Sequence, residues 1–148
     1  MITIKRLLPN ETDDFLHLIR LFTSESNPLK NHSHPAKTYL DNFLQNPKNY
    51  VLVASINNVI VGGLTAYEME MYKNEVSKMF LFEIEVNENY RQQGVGGLLI
   101  HKLREICKQR NIKQIFVMTS RNNFPALKLY ESTGGIPDIE SVLFSYLL

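Results

Sequence analysis

The chain has 148 residues, with 16 lysines and arginines against 15 aspartates and glutamates. That length suits one domain, 1–148, which buries its own core, and the balanced charge excludes the basic field that attracts nucleic acid or an acidic membrane. The start, Met1-Ile-Thr-Ile-Lys-Arg, turns polar too soon for a signal peptide, no apolar run approaches a membrane span, and Cys107 has no second cysteine to pair with, so the expected setting is the cytoplasm.

Ile2 to Arg6 alternates like a half-buried strand. Asn10 is placed to cap a helix with Glu11, Asp13 and Asp14 in its first turn and Phe15, Leu18, Ile19 and Phe22 as its buried stripe. From Ser24 to Pro35 the periodicity dissolves into a polar connection of the kind that contacts substrates. His32 and His34 lie in it, but without cysteines or a clear third ligand they read as solvent-facing, and no metal is expected. Pro35 suits the first turn of a second helix whose Tyr39, Leu40, Phe43 and Leu44 face the core, and Asn46-Pro47 ends it.

Tyr50 to Ile56 predicts a strand, Asn57-Asn58 a tight hairpin, and Val59 to about Met71 the returning strand, with Gly62-Gly63 marking a bulge or a close backbone approach. After a turn at Lys73-Asn74 comes the central strand, where Met79, Phe80, Leu81, Phe82, Ile84 and Val86 form an apolar run broken by Glu83 and Glu85. A polar loop leads to Gly94, Gly96 and Gly97, then to a helix with Leu98, Leu99, Leu103, Ile106 and Cys107 on its apolar side. Lys113 to Thr119 predicts a short buried strand, Asn122 to Ser132 a helix stopped by Gly134-Gly135, and Ser141 to Leu147 a final strand. The fold class is α+β.

Strand, polar loop, glycines, helix is an order with a use. A helix start offers unpaired N–H groups and the positive end of the macrodipole, glycines let an anion approach the main chain, and Arg91 adds positive charge at the mouth. A phosphate or pyrophosphate is the natural guest. A dinucleotide-binding loop would need glycine where Leu99 stands, and a P-loop would need Gly-Lys-Ser/Thr in place of Gly96-Gly97-Leu98.

Arg91-x-x-Gly94-x-Gly96, together with Asn123-x-x-Ala126-x-x-Leu129-Tyr130-x-x-x-Gly134, resembles the two signatures of the GNAT superfamily of N-acetyltransferases, and the order of elements is similar to the GNAT fold from end to end. Gly135 departs from the Phe usual after Gly134, and Glu88 stands where Pro often precedes the loop. The resemblance implies a mixed central sheet flanked by helices and acetyl-CoA as cosubstrate. Its pyrophosphate would lie on Arg91, Gln92, Gly94, Val95, Gly96 and Gly97, its thioester beside the backbone of Ile84 and Val86, and its pantetheine arm on Asn123. Phe82-Glu83-Ile84-Glu85-Val86 before this loop looks most like the aminoglycoside 3-N-acetyltransferase group, although Glu85 replaces a residue usually small there.

Acyl transfer to an amine needs a base, oxyanion stabilisation and a proton for the leaving thiolate. Glu83 and Glu85, on one strand face, are candidates for the base and the cation anchor, with one raising the pKa of the other. Tyr130 is the implied general acid. The expected partner is a small-molecule amine, aminoglycoside-like and polycationic, with Glu68, Glu70 or Asp138 adding negative charge; a homodimer is left open. A peptide, protein or polyamine acetyltransferase and a non-catalytic acetyl-CoA-binding module stand as alternatives.

Overall fold

The computed structural model describes residues 1–26 and 34–148. Internal contacts divide the chain into two compact units, Met1–Met118 and Thr119–Leu148.

The first unit is a sheet with helices against it. In chain order it holds β1 (Ile2–Arg6), α1 (Thr12–Ser26), α2 (Lys37–Gln45), β2 (Asn49–Ile56), β3 (Val59–Met71), β4 (Val76–Val86), α3 (Val95–Gln109) and β5 (Ile115–Val117). The strands lie in sequence order, the first four antiparallel to their neighbours and β5 parallel to β4. Asn57 and Asn58 take φ values of 50° and 65° in the expected hairpin turn.

The alternation of β2 assigns the two sheet faces. Val51 and Val53 join Phe15, Leu18, Phe22 and Leu40 in the core beneath α1 and α2. Tyr50, Leu52 and Ala54 point the other way, toward the face where α3 buries Leu99, Leu103 and Cys107. Burial pushes the Cys107 thiol up to about 11, which fits packing and not nucleophilic chemistry. On the α3 face the Glu68 carboxylate accepts from Tyr50 Oη at 2.8 Å and from Arg110 Nε at 2.7 Å, while the Arg6 guanidinium lies 3.8 Å over the Tyr50 ring.

Glycine at position 63 is required by contact. A Cβ there would stand 2.5 Å from the Leu52 carbonyl oxygen and 2.6 Å from a Leu18 methyl, so α1 could not sit this close to the sheet. The expected irregularity beside Gly62 is also present: Ala54 pairs with Gly62 and Ser55 with Ile60, leaving Val61 as an extra residue.

Four expectations need correction. The polar connection was expected from Ser24, but α1 continues to Ser26; His32 lies outside the described residues. Tyr39 does not face the core but is 65% exposed, because α2 begins at Lys37 and buries only Leu40 and Leu44. The strand expected over Lys113–Thr119 is, among the described residues, paired only at Ile115–Val117, against β4. Ser141–Leu147, expected as a final strand, has no strand assignment.

The second unit contains α4 (Phe124–Ser132), capped by Asn123 and stopped where Gly134 takes φ 93°. A Cβ on Gly135 would come within 2.9 Å of the Tyr130 carbonyl oxygen, which explains glycine in place of a larger residue. Among the described residues no helix is long and apolar enough to cross a membrane.

Candidate active site

The acidic pair owes its placement to a bulge. Ala66 pairs with Leu81 and Thr65 with Glu83, so Phe82 has no residue opposite it. Unbroken alternation would put Glu83 on the face of Met79 and Leu81, which are 0% and 2% exposed. The extra residue reverses the parity, so Glu83 and Glu85 stand opposite Thr65 and Gly63, on the α1 and α2 side.

A cavity of about 340 Å³ opens on that side, within the range of small-molecule sites. Its walls include Phe22, Tyr39, Phe43, Tyr67 and Phe82, with Glu83 as the carboxylate. The rings form a chain: Phe15 meets Phe43 at 5.4 Å, Phe43 meets Tyr67 at 5.9 Å, Tyr67 meets Phe82 at 6.0 Å and Phe82 meets Phe80 at 5.8 Å. Phe80 stacks on Phe116 at 4.8 Å, continuing the chain into β5.

Burial among these groups, and secondly the charge of Glu85, hold the Glu83 carboxyl above the usual carboxylate range. Burial is also the main reason the Tyr67 hydroxyl titrates above its ordinary value. Glu85 is differently placed. Its Oε1 receives Arg91 Nη2 at 3.1 Å, while Arg91 Nε donates to the Val86 carbonyl at 2.9 Å. The Arg91 guanidinium thus ties the loop to β4 in addition to lining the loop's mouth.

The β4 backbone beyond the bulge has a distinct polarity. Asn87 N–H donates to Val61 O at 2.8 Å, so by antiparallel alternation Glu85 and Glu83 exchange bonds with β3, while the peptide groups of Ile84 and Val86 point away from it. On that side the ladder with β5 ends at the Leu81–Val117 pair. β4 therefore presents main-chain groups at Ile84 and Val86 along an edge that no strand among the described residues of the first unit covers.

The loop that follows is built by side-chain and backbone turns. Asn87 Oδ1 accepts from Asn89 N–H at 3.0 Å and starts a single 3-10 turn, Glu88–Tyr90. Gln92 takes φ 60° and Gly94 φ 83° just before α3. A Cβ on Gly94 would meet nothing within 4 Å, so glycine serves the left-handed backbone there and the space above it is open. Leu98 N–H bonds Gly94 O at 3.0 Å, leaving the N–H groups of Val95, Gly96 and Gly97 without intrahelical acceptors. This open helix start suits a pyrophosphate.

In the second unit, Tyr130 lies half-buried on α4, and its carbonyl accepts from Gly135 N–H at 2.8 Å. Asn123 is a helix cap: its Oδ1 accepts from Ala126 N–H at 3.3 Å.

Of the expected flanking carboxylates, Glu68 is held by Arg110 and Tyr50, Glu70 by Lys48, and Asp138 by Ser141. Glu83 and Glu85 carry the local negative charge instead. Among the described residues no cluster of three or more His, Cys, Asp or Glu side chains is arranged to hold a metal ion. Sequence reasoning missed the aromatic walls, because Tyr67 and Phe82 look like ordinary strand residues.

An open helix start, an interrupted strand edge and a half-buried Glu83 carboxylate follow one another along β4 and α3. The acetyltransferase (GNAT) family model matches residues 14–135, and the chain belongs to that family of N-acetyltransferases. An aminoglycoside acetyltransferase from an uncultured soil metagenomic sample, solved in complex with sisomicin, is 33% identical over 99% of this chain and 96% of its own, with a TM-score of 0.94. A second such enzyme from an uncultured soil sample is 26% identical over 100% of this chain and 99% of its own, with a TM-score of 0.93. Human N-alpha-acetyltransferase 30 is 27% identical over 72% of this chain and 28% of its own length. The chain spans roughly a third of the curated relatives it matches first, 32%, 38% and 28% of their lengths.

Proposed function

We propose that the protein moves the acetyl group of acetyl-CoA to a primary amine of a polycationic small molecule of the aminoglycoside type. The observation that carries this reading is the parity-reversing bulge at Phe82, which brings Glu83 into the cavity and Glu85 beside it on the same face. The binding of sisomicin by the 33%-identical soil enzyme supports the acceptor class.

An alkylammonium with pKa about 10 is almost fully protonated at neutral pH, so a base is required. Glu83 is raised toward the working range by burial and by Glu85, which suits it to take that proton. Glu85, already paired with Arg91, adds charge that anchors the cation. Acetyl-CoA, when bound, supplies an activated thioester; Val95, Gly96 and Gly97 N–H groups with Gly94 and Gln92 would hold its pyrophosphate, and the main chain at Ile84 and Val86 its acyl arm. Asn123 would contact the same arm, and the Tyr130 hydroxyl would return a proton to the departing thiolate.

The aromatic walls favour a second reading, an amine with an apolar body such as a peptide amino terminus, since Tyr39, Tyr67 and Phe82 offer ring faces to a cation and to its hydrocarbon. Acetyl-CoA turnover against kanamycin-type aminoglycosides, polyamines and short peptides, with product identification, separates the two. Acetylated aminoglycoside is the expected product. Efficient peptide acetylation with inert aminoglycosides would transfer the assignment to the second reading, and tight acetyl-CoA binding without turnover would reduce the protein to a binding module.

A further inference from the structure

Among the described residues two polar side chains are buried, Thr12 at 3% and Thr65 at 7% exposure. Thr12 is accounted for, because its Oγ1 donates to Asp41 Oδ1 and joins α1 to α2. The Thr65 hydroxyl has no hydrogen-bond partner among the described residues. Every fully enclosed side-chain nitrogen or oxygen among them does have a partner, so the Thr65 oxygen keeps an opening, and the space that Thr65 lines is the cavity. An unpaired hydroxyl at a buried position destabilises a fold, and a valine of nearly the same shape would not. Packing alone therefore does not explain threonine here.

The ladder says what the hydroxyl has beside it. Thr65 lies between Val51 of β2 and Glu83 of β4. Val51 is 1% exposed and has no polar side-chain atom, so Glu83 is the polar neighbour across the ladder. Side chains directly opposite on antiparallel strands stand about 4.5–5.5 Å apart at Cβ, close enough for a hydroxyl and a carboxylate to grip one small donor between them. Both line the cavity. Its other threonine, Thr23, turns Oγ1 to the Ile19 carbonyl at 2.8 Å, and Tyr39 stands largely exposed. Thr65 and Glu83 are thus adjacent polar groups in a wall made mostly of rings and aliphatic side chains.

We propose that the Thr65 hydroxyl is a second contact for the acceptor amine, accepting a hydrogen bond from the ammonium group whose proton Glu83 removes. A hydroxyl suits this place better than another carboxylate, since it accepts from N–H without adding a negative charge against Glu83. Its own O–H can at the same time donate to the Glu83 carboxylate, so that nitrogen, hydroxyl and carboxylate close one ring of hydrogen bonds. A bond from a charged donor is stronger than one between neutral groups, which makes a single hydroxyl matter. The inference rests on the reading of Glu83 as the base of an amine acetyltransferase, and it holds for an aminoglycoside, polyamine or peptide acceptor alike.

The test compares Thr65→Val, which keeps the branched shape and removes the hydroxyl, with Thr65→Ser, which keeps the hydroxyl. Kanamycin, spermidine and an unblocked alanine peptide are assayed with the parent, and the best acceptor is carried to both variants. Thr65→Val should melt at or above the parent temperature and keep the parent KM for acetyl-CoA. Its kcat/KM for the acceptor should fall about 10- to 100-fold, the loss of one hydrogen bond to a charged group. Thr65→Ser should restore most of that loss. A Thr65→Val protein that melts lower would make the hydroxyl a support of the fold, and an undiminished kcat/KM, or a Thr65→Ser protein as impaired as Thr65→Val, would remove it from the site; each result overturns the proposal. A parent that turns over none of the three amines would instead overturn the transferase reading, and this inference with it.

Discussion

Replacing Glu83 by Gln should move activity and stability in opposite directions. In the fold, burial and then Glu85 hold the Glu83 carboxyl above its ordinary range, so the folded protein keeps a proton at pH values where the unfolded chain has lost it. The stability Glu83 contributes is therefore full below its unfolded pKa and is lost as pH rises through the folded value. At neutral pH its charge is a net penalty that Gln removes. Two strand steps separate the carboxylates by roughly 7 Å, which gives like-charge repulsion between about 0.6 kcal/mol at aqueous and about 2.4 kcal/mol at interfacial dielectric. The ion pair between Arg91 and Glu85, at 3.1 Å and partly exposed, offsets some of it, leaving ~1 kcal/mol. At roughly 2.1 cal/mol/K of unfolding entropy per residue, ~1 kcal/mol raises the Tm of this chain by about 3 °C. Loss of a general base should meanwhile lower kcat/KM by about 10²–10⁴-fold. The assay pairs thermal melts from pH 3 to pH 8 with kcat/KM profiles. The Tm advantage of Glu83→Gln should vanish at acid pH, and Glu85→Gln should shift the acidic limb of the parent profile downward. A variant no more stable than the parent at neutral pH would refute the electrostatic reasoning, and unchanged turnover would refute the base.

Gly96→Val should abolish the acetyl-CoA-induced rise in Tm, which for a native-state ligand at a hundredfold excess over Kd corresponds to about 2.7 kcal/mol in the parent; an undiminished rise would remove the pyrophosphate from the α3 start. Tyr130→Phe should lower kcat while leaving acetyl-CoA affinity and melting temperature near parent values, and an equal loss of all three would make the tyrosine structural. Gly63→Ala should cost about 1–3 kcal/mol in a denaturant melt, because the new methyl meets the Leu52 carbonyl at 2.5 Å as well as Leu18. Trimming Leu18 would not rescue it, since the backbone contact remains.

Most strands and helices were legible because their periodicities are strong and their turns chemically marked: Asn57-Asn58, Gly94 and Gly134 each take the positive φ their residue types suggest. The acidic pair was legible too, but its face was not. Alternation says only that Glu83 and Glu85 share a side, and the choice of side depends on one unpaired residue, Phe82, whose identity carries no bulge signal. The cavity walls were hidden for a related reason, as Tyr39 fits a core stripe as well as it fits a cavity rim. Arg91 was read as a phosphate ligand from its motif, while its bonds to Glu85 and Val86 depend on three-dimensional proximity across the loop.

The ring chain from Phe15 through Phe43, Tyr67, Phe82 and Phe80 to Phe116 gives the protein an optical property. With seven tyrosines and no tryptophan, its near-ultraviolet circular dichroism arises from phenol and benzyl groups alone. Tyr67 sits in edge contact with a phenylalanine on either side, in a chiral and half-buried setting. An acceptor entering the cavity must displace or polarise that ring. The tyrosine band should therefore change, without a label, if the proposed acceptor enters the cavity.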